Sequence, residues 1–136
     1  MKHYTHTVQY YETDQMAIVH HSNYIRWMEE ARIDFLSRIG WDYKSMEDSG
    51  IISPVTGVEC KYKTGARFGD TVTIEVWVEE FRGVKLKLCY AMRNQEGTPV
   101  AEARSEHCFL SREGKILNLK KAAPEIFQAV CQHIKE

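Results

Sequence analysis

Between Tyr11 and Arg32 the chain reads Y-E-T-D-Q-M-A-I-V-H-H-S-N-Y-I-R-W-M-E-E-A-R, placing one aspartate, Asp14, ahead of two histidines and a long helical pattern. A carboxylate can attack a carbonyl carbon, or take the proton from a water that does so. The unpaired N–H groups at a helix start carry roughly half a positive charge, so an oxygen gaining negative charge is stabilised against them. Asp14 sits in a polar turn, Glu12 to Gln15, and the helix starts about eight residues later, where Ser22 or Asn23 can cap it with a side-chain oxygen. Two readings of Asp14 stand side by side: a plain turn residue, as most surface aspartates are, or a reactive carboxylate beside a helix mouth. His21 divides the same way, between an imidazole able to move protons near neutral pH and a polar residue that merely opens a helix. His20 and His21 are adjacent, and neighbouring side chains ordinarily point apart, so they are expected to act separately.

The positioning elements follow from periodicity. Residues 3–10 are rich in β-branched and aromatic types and read as a first strand. From Asn23 to Ile39, apolar side chains at Tyr24, Trp27, Met28, Ala31, Phe35, Leu36 and Ile39 recur at helical spacing, with Gly40 at the C-terminal cap position. Ile25 and Ile33 widen that apolar surface, as expected of a helix covered on more than one side. A loop or short helical turn spans Trp41 to Gly50. A strand then runs over residues 55–63, followed by twofold alternation: Val72, Ile74, Val76 and Val78 face one way, Thr71, Thr73, Glu75, Trp77 and Glu79 the other. Leu86, Leu88, Tyr90 and Met92 repeat the pattern, and turns at Arg82-Gly83 and Asn94 to Gly97 join these strands to another over residues 99–111. Pro124 opens a last helix bearing Phe127, Val130, Cys131 and Ile134. The sum is an α+β domain, with one long helix, four or five antiparallel strands and a C-terminal helix. One helix leaves a strand edge and part of the sheet uncovered, so at least a dimer is expected.

The 136 residues suit a single domain over 1–136, and 43% hydrophobic with 27% charged residues is ordinary for a globular protein. A net charge of -1 offers no global attraction to nucleic acid or an anionic membrane. The opening M-K-H-Y-T-H-T-V lacks the apolar run of a signal peptide, and no segment is apolar enough for a membrane span, so a cytoplasmic location is expected. Cys60, Cys89, Cys108 and Cys131 are widely separated and read as reduced packing residues. His3, His6, His20 and His21 do not have metal-ligand spacing, and no metal is expected.

Nearly the whole chain resembles the hotdog-fold acyl-CoA thioesterases of the 4-hydroxybenzoyl-CoA thioesterase type, especially the small bacterial subfamily that accompanies the Tol-Pal genes. The resemblance rests on the pattern Y-x-x-T-D-x-x-G-x-V-x-H-x-x-Y-x-x-x-x-E-x-A-R, met by Tyr10 or Tyr11, Thr13, Asp14, Val19, His21, Tyr24, Glu29 or Glu30, Ala31 and Arg32. It implies a long central helix wrapped by a curved antiparallel sheet of about five strands, with sites at the interface of a homodimer or homotetramer. It also implies that Asp14 is the catalytic carboxylate and that the His21 backbone N–H polarises the thioester carbonyl, with Tyr24 beside the substrate. The family glycine is Ala17 here; positive φ at that position would strain an alanine by about 1 kcal/mol. The tyrosine that precedes the histidine in the family is His20 here.

On that resemblance the chain is an acyl-CoA thioesterase that needs no metal or redox cofactor, coenzyme A entering as part of the substrate. The phosphates of coenzyme A would meet a basic rim, for which Arg67, Arg82 and Lys85 are the candidates. Alternatives are an acyl carrier protein thioesterase, whose partner is an acidic protein, and a non-catalytic acyl-CoA-binding module, against which the presence of Asp14 argues. On the helix, Glu30 is expected to pair with Arg26 and Glu29 with Arg32 on a solvated face.

Overall fold

In the computed structural model, which describes residues 3–134, the longest strand and the longest helix cross at the centre of one apolar core. Five strands, β1 (Tyr4–Thr7), β2 (Val55–Tyr62), β3 (Thr71–Phe81), β4 (Leu86–Arg93) and β5 (Pro99–His107), form one antiparallel sheet in the order β1-β3-β4-β5-β2. The alternation in β3 and β4 faces as its pattern requires: Val72, Ile74, Val76, Val78, Leu86, Leu88, Tyr90 and Met92 are buried, while Glu75, Trp77 and Cys89 are turned to the other face. The sheet wraps α1 (Ser22–Arg38), whose Tyr24, Trp27, Met28, Ala31, Phe35 and Leu36 fill its concave side. This is the hotdog arrangement.

The connections differ in part from the periodicity. β3, β4 and β5 form the expected meander, yet β2 crosses to the far side and pairs with β5, Val55 opposite His107 and Tyr62 opposite Ala101. Residues 41–50 hold a short helix, α2 (Tyr43–Asp48), capped by Asp42, whose side chain accepts the Ser45 N–H at 2.7 Å. The single turn α3 (Leu119–Ala122) precedes α4 (Pro124–Cys131), a turn that four residues are too few to signal by period. Phe127 of α4 packs against Phe81 with ring centroids 5.1 Å apart, and Val78 donates its N–H to the His133 carbonyl at 3.1 Å, so α4 closes the end of β3.

One buried polar chain crosses the core. Arg32 of α1 donates from Nη1 to Nδ1 of His107 at 2.8 Å, which leaves the proton of the neutral imidazole on Nε2, 2.7 Å from Ser105 Oγ; Ser105 in turn shares a 2.7 Å hydrogen bond with the Tyr90 hydroxyl. Arg32 therefore serves the core and not Glu29, because His107 at the end of β5 lies beneath the helix where its fork can reach. Glu30 is likewise turned from Arg26 to β1, accepting the Tyr4 hydroxyl at 2.7 Å with His6 Nδ1 at 3.6 Å. Asp34–Arg38 supplies the i,i+4 pair on this helix.

Burial, and then the Arg32 charge, push the His107 imidazole down to about 3. The unfolded chain takes up this proton below pH about 6.5 whereas the folded chain does not, so stability is full above that pH and is lost as pH falls from there toward 3. Each pH unit in that window costs about 1.4 kcal/mol. Melting temperature measured from pH 8 to pH 5 should be flat at the alkaline end and fall below pH 6.5, and His107→Gln should remove most of the slope between pH 6.5 and 5 while lowering stability at every pH.

Candidate active site

Asp14 sits at the tip of a small hairpin. Glu12 accepts the His20 N–H on its carbonyl (2.8 Å), Thr13 bridges Val19, Asp14 donates its N–H to the Ile18 carbonyl (2.9 Å), and Ala17 donates to the Asp14 carbonyl (3.0 Å). These bonds close residues 14–17 into a tight turn. The Asp14 side chain locks it further, Oδ1 accepting the Met16 N–H at 2.8 Å in an Asx turn. Among the described residues Oδ2 has no protein partner, so a half-buried carboxylate is held by one oxygen and offers the other.

The return arm of the hairpin runs directly into α1. The caps differ from expectation: Ser22 and Asn23 are already helical, and the side chain that meets a first-turn donor is His20, whose Nδ1 accepts the Ser22 N–H at 3.2 Å and sits 2.9 Å from Ser22 Oγ. Asn23 N–H is satisfied by the His20 carbonyl and Tyr24 N–H by the His21 carbonyl. His21 N–H has no protein acceptor among the described residues, and it is exposed at the positive end of a 17-residue helix. An uncommitted donor and a half-committed carboxylate thus occupy the two ends of one hairpin.

The adjacent histidines do not point apart. Their rings stack with centroids 4.2 Å apart at the point where the hairpin arm ends and His21 has entered helical geometry. His21 also lies edge-on to Tyr62 of β2 at 6.2 Å. Tyr24 is buried, not offered to solvent; its hydroxyl accepts the Ala66 N–H at 3.3 Å and its ring lies 5.3 Å from Tyr62, so it joins α1 to the segment after β2. That segment carries Arg67. The Ala66 carbonyl accepts the Val19 N–H at 2.8 Å, and a Cβ on Gly65 would come within 2.9 Å of Ile18, so Arg67 borders the Asp14 hairpin and is exposed there. Arg82 and Lys85 are elsewhere. They lie in the β3–β4 turn, and β3 starts beside the hairpin with Val8 N–H on the Asp70 carbonyl, which places that turn roughly 30 Å further along the strand. Within one chain the three basic candidates do not form one rim.

A model of the thioesterase-like superfamily matches residues 8–132. The chain belongs to that superfamily. It is 36% identical over 119 residues to the Bacillus subtilis protein YneP, which carries an acyl-CoA thioesterase name, covering 87% of this chain and 86% of that one. It is 26% identical over 96 residues to the acyl-CoA thioester hydrolase YbgC of Escherichia coli, covering 71% and 72%. Among solved structures, the DHNA-CoA thioesterase of Staphylococcus aureus superposes with a TM-score of 0.91 at 30% identity, covering 96% of this chain and 89% of that one.

Two features set this member's site. Ala17 has φ of 64°, the one positive value at a non-glycine residue among those described, so the turn keeps the conformation its family glycine would adopt. Glu12, which the sequence presents as one more polar turn residue, is instead 4% exposed beneath the hairpin. Only the Gln9 N–H is a local partner; the two donors that bury it, His6 and Trp27, come from β1 and α1. Among the described residues no group of three or more His, Cys, Asp or Glu side chains gathers as a metal site. Ala17→Gly should relieve the turn and raise unfolding free energy by about 1 kcal/mol, measured by urea denaturation; an unchanged or lowered value would show that the turn carries no strain.

Proposed function

We propose that this chain hydrolyses acyl-CoA thioesters to the free acid and coenzyme A, with Asp14 as the catalytic carboxylate and the His21 N–H as donor to the carbonyl oxygen. The observation that carries this is the pairing of a carboxylate with one free oxygen and an unused helix-start N–H on the two ends of one hairpin. A thioester carbonyl lying against His21 N–H places its developing oxyanion at the positive end of α1. Asp14 then either attacks the acyl carbon, expelling the coenzyme A thiolate and leaving a mixed anhydride that water opens, or takes the proton of an attacking water. Neither route uses a metal or redox group. Membership of the thioesterase-like superfamily and the names of the relatives support the reaction class. Among the described residues no helix is long and apolar enough to cross a membrane, and we place the reaction in the cytoplasm, with residues 1–136 acting as one domain.

A second copy completes the site in this reading. β2 is an edge strand of eight residues whose outer backbone groups are unpaired by the sheet, and Val55, Val58 and Tyr62 on it are 45–49% exposed. Ile25 and Ile33 of α1 add exposed apolar surface. A cavity of about 460 Å³ on the outer sheet face is lined by Glu59, Trp77, Arg93 and Arg104 and by no residue of the 10–24 segment, so that face does not supply the acyl pocket. Pairing of β2 with its copy would cover the apolar residues and wall the Tyr62 side of the helix mouth. Arg67 is the phosphate contact from the same chain; Arg82 and Lys85 can contribute only from another copy.

Asp14→Asn keeps the acceptor for Met16 N–H and should fold, yet lower kcat at least a hundredfold on the best substrate from a panel of short, long and aromatic acyl-CoAs. A single turnover in ¹⁸O-water tests the nucleophilic route: if water opens the anhydride at the Asp14 carbonyl, the first-turnover acid carries no label and the Asp14 carboxylate gains it, an outcome that base catalysis does not give. Wild-type protein inert on every acyl-CoA, or a mutant as fast as wild type, overturns the assignment. Val58→Asp at the β2 edge should shift the protein from oligomer to monomer in light scattering and reduce kcat/KM at least tenfold; an unchanged mass would place the interface elsewhere.

A further inference from the structure

Glu12 is the most heavily committed polar residue near the helix mouth. Its Oε1 accepts the His6 Nε2–H and the Gln9 backbone N–H, each at 2.8 Å, and its Oε2 accepts the Trp27 indole N–H at 2.7 Å. Its carbonyl accepts both the His20 N–H at 2.8 Å and the Asn23 side-chain amide at 2.9 Å. One residue is therefore tied to β1, to the 3-10 turn over Tyr10–Glu12, to the return arm of the hairpin and to two successive turns of α1. Trp27 is fully buried, and the His6 ring lies 4.7 Å from it, so the carboxylate is walled by aromatic surface and cannot trade its partners for water.

The placement matters because of what lies on either side. Asp14 is two residues after Glu12, and His21 is one residue after the His20 whose N–H Glu12 holds. The 12/20 bond is the base of the hairpin, and the distance between the Asp14 carboxylate and the His21 N–H is set by how rigidly that base is seated on β1 and α1.

We infer that Glu12 is a positioning residue for the thioesterase reaction: its buried carboxylate seats the hairpin base so that Asp14 and the His21 N–H address the same carbonyl. This rests on the assignment of Asp14 and His21 given above. Glu12 touches neither substrate nor the reacting atoms, and its effect is on geometry, which a transition state of fixed shape reads more sharply than ground-state binding does.

The test uses the full chain and two readouts. Glu12→Gln preserves size, but with its oxygen toward the two donors at Oε1 its amide NH₂ opposes the Trp27 N–H. Hydrogen exchange followed by mass spectrometry should show peptides within residues 10–22 exchanging at least tenfold faster, with β3, β4 and β5 within twofold of wild type. Steady-state kinetics should show kcat down at least tenfold and KM within about twofold. Trp27→Phe added to Glu12→Gln removes the opposed donor and should restore at least part of kcat, although Trp27→Phe alone lowers it.

Exchange that rises equally in the sheet, or does not rise, overturns the inference. So does faster local exchange with kcat unchanged in an enzyme that Asp14→Asn inactivates. If Glu12→Gln does not fold, His6→Leu, which removes one donor from Oε1 and keeps apolar bulk, decides by the same criteria at a threefold threshold. Failure of the Asp14 assignment is recognised separately, by Asp14→Asn matching wild type; in that case exchange in residues 10–22 still decides whether Glu12 holds the hairpin.

Discussion

A carboxylate buried among aromatic rings is stable only when its hydrogen bonds outweigh the loss of water, and the helix-mouth end of this protein is organised around one. Burial acts to raise the Glu12 carboxyl; the Gln9 N–H, His6 and Trp27 act against it and leave it below the ordinary glutamate range. Every one of those donors belongs to a different piece of backbone. The charge can be buried only if strand, 3-10 turn and helix arrive together, so the interaction acts as a register pin for the whole region. The hairpin that carries Asp14 has little apolar anchorage of its own, with Met16 exposed and only Val19 fully buried. It is held by the pin at its base and by the Val19 N–H bond to the Ala66 carbonyl.

The second constraint is the helix start. A helix must leave donors unpaired at its N-terminus, and most chains hide them under a capping side chain. Here the His20 ring covers the Ser22 N–H, the His20 and His21 carbonyls take the next two, and the His21 N–H is left over. Helix dipole and free donor then coincide at the end of the hairpin that carries Asp14, with the long buried face of α1 holding that point steady. The two aspects of the helix are separate: Trp27, Ala31 and Phe35 bind it to the sheet, while its mouth keeps an unpaired donor.

The far half of the core solves a different problem. Arg32 brings a guanidinium into the region beneath α1 and meets a neutral imidazole in place of a carboxylate, with Ser105 and Tyr90 passing the hydrogen bonds on to β4. This chain ties helix to sheet at the end opposite the hairpin. The two polar clusters fix both the position and the rotation of the helix within an otherwise apolar groove, which leucine-like contacts alone would leave freer.

Much of this was legible from residue order. The α1 span differs by one residue at each end from its periodicity, because Trp27, Met28, Ala31, Phe35 and Leu36 repeat on one face, and the inward residues of β3 and β4 are those their alternation selects. The positive φ at Ala17 follows from the glycine that the resemblance places there. These are local properties: period, turn chemistry and pattern reside within ten or twenty residues of chain. What only the tertiary structure decided depends on contacts distant in sequence. The crossing of β2 to pair with β5, the burial of Glu12 against His6 and Trp27, the diversion of Arg32 to His107, and the separation of Arg82 and Lys85 from Arg67 each require knowing which segments meet in space. A glutamate in a polar turn and a glutamate locked beneath a hairpin are the same letter; the His6 and Trp27 donors that distinguish them arrive from a strand and a helix.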